Sequence, residues 1–320
     1  MPAPRGYRGC RQTTTGGPMA AVVFVPESAP SRSIYRADGL LLLAAAIWGG
    51  AFVAQRVGMD HVGPLTFNGV RFALGVLTLL PLALTERGKT VTLSGPPFTT
   101  RQTLWGGVLA GLVLFAGATL QQIGLMYTTA GKAGFITGLY VVIVPLLGII
   151  WKQRPKGGGW AGALLAATGL YFLSVTEELT LAPGDAWELA GAFMWAGHVL
   201  VLGWLSPRAK VIRLACIQYL VCSLLSLVVA GATETISGRG LVAAAVPILY
   251  GGVFSVGVAY TLQVVAQRVA PPTHAAIILS LEAVFAALAG RLFLGEELTL
   301  RALFGCGLML GGMLVAQLRR

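Results

Sequence analysis

Glu282 is a carboxylic acid inside residues 273–293, a stretch that otherwise reads as one apolar helix. At 1.5 Å per residue it lies about 14 Å from the start of that stretch. That is close to the centre of a hydrocarbon layer about 30 Å thick. An ionised acid at such depth costs on the order of 2.5–3.5 kcal/mol or more. The group is therefore expected to face a cavity, pair with a cation or hold a proton. Its chemistry would be proton exchange or recognition of a cargo amine; the alternative is a structural anchor hydrogen-bonded between helices.

Other polar side chains sit at similar depths. Arg71 lies about 10 Å into its apolar stretch. It could bind a carboxylate, pair with Glu282, snorkel outward or bond to backbone carbonyls. Trp48 and Trp195 lie mid-stretch, where aromatic faces suit an apolar, aromatic or cationic cargo, or simply pack. Gln122 and Gln263 could bond cargo, or tie helices together at about 0.6 kcal/mol per bond. Gln121 and Tyr140 are candidates of the same kind. His198 and His274 could relay protons or serve as hydrogen-bonded structural groups. His274 stands two turns before Glu282, as an inner approach to it. Lys132 opens its stretch at the surface and reads as solvated.

Several chemistries lack their residues. The run Gly157-Gly158-Gly159 has no Gly-Lys-Ser/Thr ending, so it is no phosphate loop, and no nucleotide-binding domain is present to make ATP a direct energy source. Neither a GxSxG nor an HExxH pattern occurs, and the four cysteines form no metal-ligand spacing. An enzymatic reading has no support here; no cofactor and no metal are expected.

The elements that position these groups follow from composition. Hydrophobic residues make up 56% of the 320 and charged residues 11%, against about 25% charged in soluble domains. A chain so poor in charge belongs in lipid, as helices or a closed barrel. Its apolar stretches are continuous rather than alternating, which predicts helices. Ten spans are expected, over 38–57, 64–84, 104–126, 132–151, 158–176, 185–205, 212–231, 245–266, 273–293 and 300–318. Pro64 and Pro272 suit opening turns, and Pro145 should kink the fourth span. Small-xxx-small pairs at Gly107/Gly111, Gly158/Gly162 and Gly307/Gly311 allow close helix contacts, within or between copies. Residues 1–36, rich in Arg, Pro, Gly, Ser and Thr, predict a disordered cytoplasmic tail; a transit peptide is the alternative, and Met19 competes with Met1 as the start.

Charge fixes the expected orientation. With the N-terminus inside, 17 Lys and Arg residues fall on that side, five outside (Arg56, Lys132, Arg239, Arg291, Arg301), and Arg71 within a span. The positive-inside rule then puts both termini in the cytoplasm. Acids lean outward, Asp185, Glu188 and Glu234 among them. The net charge of +11 lies between spans and forms no basic face, so nucleic acid is not an expected partner.

The chain is also written twice. Trp195 follows Trp48, and Gln218 follows Arg71, by 147 positions; Gly252 follows Gly111, and Gln263 follows Gln122, by 141. Each half holds five spans, and an odd number inverts the second half in the membrane. Inverted repeats are the construction of secondary transporters, with the binding site between the halves. Glu282 and Arg71 break the repeat, facing Val141 and Gln218.

Three stretches carry a family resemblance: LLAAAIWGGAFVAQR (42–56) leading into GPLTFNGVRF (63–72), QQIGLMYTTAGKAGFITGLYVVIVP (121–145), and AIILSLEAVFAALAGRLFLGEELTLRALFG (276–305). They resemble the drug/metabolite transporter superfamily, EamA-like branch, over about residues 38–317. The resemblance implies an all-α integral membrane fold of ten helices as two five-helix inverted repeats (37–176 and 184–318), with cytoplasmic termini. It implies alternating access around a cavity lined mainly by spans one, three, four, six, eight and nine, with the second span towards the periphery. The family's ninth helix often reads Leu-Glu-Pro; here Ala283 follows Glu282, so a proline kink is missing.

The expected function is secondary transport of small metabolites, by analogy export, across a bacterial plasma membrane, with protons as a possible coupling partner and the lipid bilayer as surroundings. An uncoupled facilitator or exchanger, and a non-transporting scaffold or sensor, are the alternatives. Cargo identity and oligomeric state are open at this level.

Overall fold

The computed structural model describes residues 31–86, 95–127, 130–150, 157–174, 183–294 and 299–318. All regular structure among them is helical. The helices are α1 (Ser31–Gly58), α2 (Pro64–Thr85), α3 (Thr100–Tyr127), α4 (Ala130–Gly138), α5 (Tyr140–Ile150), α6 (Gly157–Ser174) and α7 (Pro183–Leu205). There follow α8 (Val211–Thr233), α9 (Gly238–Ala243), α10 (Ala245–Leu249), a π-helical segment Tyr250–Tyr260, α11 (Thr261–Ala266), α12 (Pro272–Leu279), α13 (Glu282–Ala289), a second π-helical segment Gly290–Leu294, and α14 (Leu300–Leu318). Among the described residues, eight helical stretches are long and apolar enough to cross a membrane, and Leu300–Ala316 is a shorter apolar one. The rim suits lipid: Leu77, Leu84, Val228, Val246 and Leu292 are exposed.

Local sequence explains the helix starts. Pro64 and Pro272 stand in the first turns of α2 and α12, where a missing N–H costs nothing and the fixed φ suits a helix. The start of α2 is further held by Glu234, which follows α8. Its carboxylate accepts from the Leu65 and Thr66 amides, each at 2.8 Å, and from Thr66 Oγ1 at 2.6 Å. An anion on the positive end of a helix is favourable.

The structure departs from the sequence expectations in several places. The first helix begins at Ser31, inside the stretch expected as tail; residues 1–30, with Met19 and Cys10, lie outside the described residues, as does the Lys132 side chain. The fourth span carries Pro145 inside α5. It breaks at Leu139, where the amides of Leu139 and Val142 bond to the carbonyls of Ile136 and Leu139, three residues back instead of four. The ninth span breaks without any proline. There the amides of Leu281 and Ala283 reach Ile278 and Ser280, again three residues back, and Ser280 Oγ donates to the Ile277 carbonyl at 2.9 Å. Leu139 and Ser280 are separated by 141 positions, the offset that relates the second halves of the two repeats.

Packing is set by small residues. α6 lies on α14: a Cβ added at Gly169 would meet the Gly305 carbonyl at 2.5 Å, and one at Gly305 would meet that of Gly169 at 2.5 Å. Gly162 approaches Gly312 and Ala316 in the same seam. Gly107 and Gly111 of α3 receive Ile217 and Val221 of α8, a contact within the chain, whereas Gly307 faces open space. Elsewhere α2 packs on α8 and on the Tyr250–Tyr260 segment, α1 on that segment and on α13, and α7 on α3, α4 and α5.

Candidate functional site

A cavity opens where α1, α2, α3, α4, α5, α7, the first π segment, α11, α12 and α13 converge. Its walls include Trp48 and Gln55 of α1, Arg71 of α2, Gln121 of α3, Thr137 of α4, Tyr140 of α5, Trp195 of α7, Ser255 and Tyr260 of the π segment, Gln263 of α11 and Glu282 of α13. The empty space, open mouth included, is about 510 Å³.

Glu282 is the second residue after the break in the ninth span, and Tyr140 the first after the break in the fourth. The Tyr140 hydroxyl donates to Glu282 Oε1 at 3.1 Å, with both side chains buried. The interruptions place polar side chains at the ends of half-helices, in the cavity wall. Irregular backbone at membrane depth is tolerated where it is buried in protein or lines a cavity.

Tyr260 is the hub of the aromatic wall. Its ring lies 4.6 Å from Trp48, 6.1 Å from Trp195 in a stacked arrangement, and 6.0 Å from Phe72. The Trp48 indole N–H donates to the Ser255 carbonyl at 3.3 Å. Trp195 Nε1 and Gln263 Oε1, by contrast, are buried with no hydrogen-bond partner among the described residues. Two side chains of the cavity wall thus hold an unsatisfied donor and an unsatisfied acceptor, and buried polar groups are rarely left so without a reason.

Arg71 departs from the peripheral position that the resemblance implied for its span. It is 3% exposed and lines the cavity. Its Nε donates to Asn68 Oδ1 at 3.0 Å, and its guanidinium lies 5.5 and 5.1 Å from the rings of Phe67 and Phe72. Asn68 is itself fixed by donating to the Ala118 carbonyl at 3.0 Å. The close approach comes from the π segment: a Cβ at Gly251 would stand 3.3 Å from Arg71 Cδ, and one at Gly252 would meet Leu74 Cβ at 2.5 Å. Glycines there let α2 move inward.

Three sequence candidates stand off the cavity. His198 is buried behind the wall, with Nε2 2.9 Å from Gln218 Oε1 and its ring edge-on to Trp195 and Tyr260. Gln122 is fully buried and neither amide atom has a hydrogen-bond partner among the described residues; its neighbour Gln121 lines the cavity in its place. His274 pairs with Asp38 at 2.7 Å, joining α12 to α1.

Sequence reasoning passed over Tyr260, Thr137, Asp38 and Glu188. Asp38 carried a signal, since Asp185 follows it by 147 positions, the repeat offset. Asp185 and Glu188, read as acids of the outer side, are 7% and 0% exposed within α7, and Glu188 is covered by Gly124 of α3 and Thr137 of α4.

The profile of the EamA-like transporter family matches residues 36–175 and 182–317. A protein of Archaeoglobus fulgidus described as an uncharacterized transporter is 32% identical over 304 residues, covering 93% of this chain and 92% of its own. The uncharacterized transporter YwfM of Bacillus subtilis is 24% identical over 289 residues, covering 86% and 91%. A solved crystal structure superposes with a TM-score of 0.70 at 18% identity, covering 88% of this chain and 97% of that one, a likeness of fold.

Proposed function

The chain belongs to the EamA-like transporter family, and on that premise we propose that it is a secondary transporter of small metabolites. The family and the apolar helices make it a multi-pass membrane protein with transport as its work. In our reading the chain crosses the membrane ten times with both termini in the cytoplasm of a bacterial cell, and its two five-helix halves rock about the cavity to export cargo.

The paired contacts support the inverted repeat. α2 packs on α8 and α6 on α14, each helix on its own repeat mate, and α1 packs on the π segment and α13 as α7 packs on α3, α4 and α5. Such exchange of partners is what a two-fold relation between halves requires.

The observation that carries the reading is the Tyr140–Glu282 contact in the cavity wall, one partner from each half. A carboxylate there exchanges a proton or receives a cationic cargo group, and Arg71 supplies the opposite charge. Trp48, Trp195 and Tyr260 form the aromatic wall, and Trp195 Nε1 and Gln263 Oε1 offer a donor and an acceptor to polar atoms of the cargo.

The test uses liposomes holding the full chain and loaded with a whole-cell metabolite extract, with efflux followed by mass spectrometry under imposed pH gradients. Release of a limited set of metabolites, abolished in Glu282→Gln, supports the reading. Flux indifferent to the gradient makes the protein an uncoupled facilitator. Equal rates and unchanged pH dependence in Glu282→Gln remove Glu282 from the mechanism, and no flux of any component overturns transport.

A further inference from the structure

Glu188 is a second intramembrane carboxylate, and the mechanism above does not use it. It is fully buried in α7. Its Oε2 accepts from Thr137 Oγ1 at 2.9 Å, and its Oε1 is buried with no hydrogen-bond partner among the described residues. α3 seals it with a glycine: a Cβ at Gly124 would stand 2.7 Å from Oε1.

Among the described residues no cation pairs with it. On α7 the ionisable group acting on it is Asp185, of like sign and three residues earlier. α4 presents the Thr137 hydroxyl and α3 presents Gly124. The guanidinium of Arg56, from α1, is bonded instead to the Leu125 carbonyl at 3.3 Å. A carboxylate held by a single hydroxyl, beside another acid and out of water, does not stay ionised unless a cation joins it.

Thr137 gives the group its connection. Thr137, whose hydroxyl donates to Glu188, is also one of the residues that line the cavity. Three residues on, past the break at Leu139, Tyr140 holds Glu282. One interrupted span therefore touches both Glu188 and Glu282.

We propose that Glu188 is a proton-binding site, separate from Glu282 and connected to the cavity through the Thr137 hydroxyl. The bound proton makes the carboxyl neutral. It passes to the cavity when the hydroxyl accepts it from Glu188 and releases its own proton to a water on the cavity side. The hydroxyl then turns back, and Glu188 is reloaded by the reverse relay, the hydroxyl taking a proton from a cavity water as it donates its own to the carboxylate. The use of that proton rests on the transporter reading; its presence does not.

The experiment therefore reads the proton without cargo. Infrared difference spectra are taken on the full chain in liposomes, titrated through neutral pH in potassium and in sodium buffers. The expected result is a protonated-carboxyl C=O stretch at neutral pH that Glu188→Gln removes and Glu282→Gln leaves in place. Thr137→Val should shift that stretch, which covers the case in which Glu188→Gln does not fold. Identical bands in Glu188→Gln and the parent overturn the proposal, and so does a band that sodium abolishes, since the site would then hold a metal cation. With the metabolite extract present, a pH-sensitive dye inside the liposomes follows proton movement. Thr137→Val is expected to slow it about tenfold or more, with Thr137→Ser near the parent. Parent-like proton movement in Thr137→Val overturns the connection. Absence of cargo flux would sink the transporter reading and leave the infrared result standing.

Discussion

Tyr140 and Glu282 meet at 3.1 Å from helices of opposite halves, each just past an interruption in its own span. Removing the donor leaves a buried carboxylate oxygen unsatisfied, at a cost of about 1–3 kcal/mol. Tyr140→Phe is expected to lower transport, and Tyr140→Phe with Glu282→Gln to be no worse than Glu282→Gln alone. Efflux rates of the parent, both single variants and the double variant check this. Additive losses would show that the two act independently.

Arg71 is aimed by Asn68, which is held in turn by the Ala118 carbonyl. Charge-assisted hydrogen bonds contribute about 1.5–3 kcal/mol, so Arg71→Gln should reduce transport by about tenfold or more. Asn68→Ala should reduce it less, because the charge remains and only its aim is lost. Initial rates over a range of extract concentrations separate the two.

Glu234 caps α2 with three accepted hydrogen bonds. Glu234→Ala should destabilise the protein by about 0.5–2 kcal/mol, the usual range for a lost N-terminal cap. The loss should appear as a lower Tm in detergent, with Glu234→Gln intermediate, because the amide keeps one acceptor.

Gly305→Ala places a methyl group 2.5 Å from the Gly169 carbonyl and from the Leu173 amide nitrogen. Both are backbone atoms, so α6 and α14 must separate. Overpacking of this kind costs about 1–3 kcal/mol. Thermal unfolding should show the loss. The same substitution at Gly307, which faces open space, should leave Tm unchanged.

The Asp38–His274 pair joins the first helix to the twelfth inside the protein. Removing one partner leaves the other buried and short of a hydrogen bond, at about 1–3 kcal/mol. Asp38→Ala should therefore lower Tm strongly, and Asp38→Ala with His274→Ala should cost less than the sum of the two. Unfolding curves of the four variants in the cycle decide this.

The apolar spans were readable because lipid imposes them on composition. Glu282, Arg71, Trp48, Trp195, Gln263 and Tyr140 stood out by depth, and the structure gathers them in one cavity. Depth alone could not separate Gln122 from Gln121, since adjacent residues on a helix point about 100° apart and small rotations choose between them. Tyr260 was hidden because an aromatic in an apolar stretch looks like any packing residue. It closes a π segment whose glycines are pressed against α2. Glu188 was hidden by lying near the start of its span, where an acid reads as solvated until α3 and α4 are seen to cover it. The interruption at Leu281 had no proline to announce it; turns bonded three residues back leave no compositional mark.

In the proposed rocking cycle the interruptions at Leu139 and Ser280–Leu281 would act as fulcrums. Residues beside a pivot barely travel, while the far end of a lever sweeps. A 20° swing about the break would carry the distal end of α5 roughly 5–6 Å, given about 1.5 Å of rise per residue. Tyr140, one residue from that pivot, would move by only about half an ångström. The mouths of such a molecule can gape and shut while the hydroxyl and the carboxylate at its centre keep hold of one another.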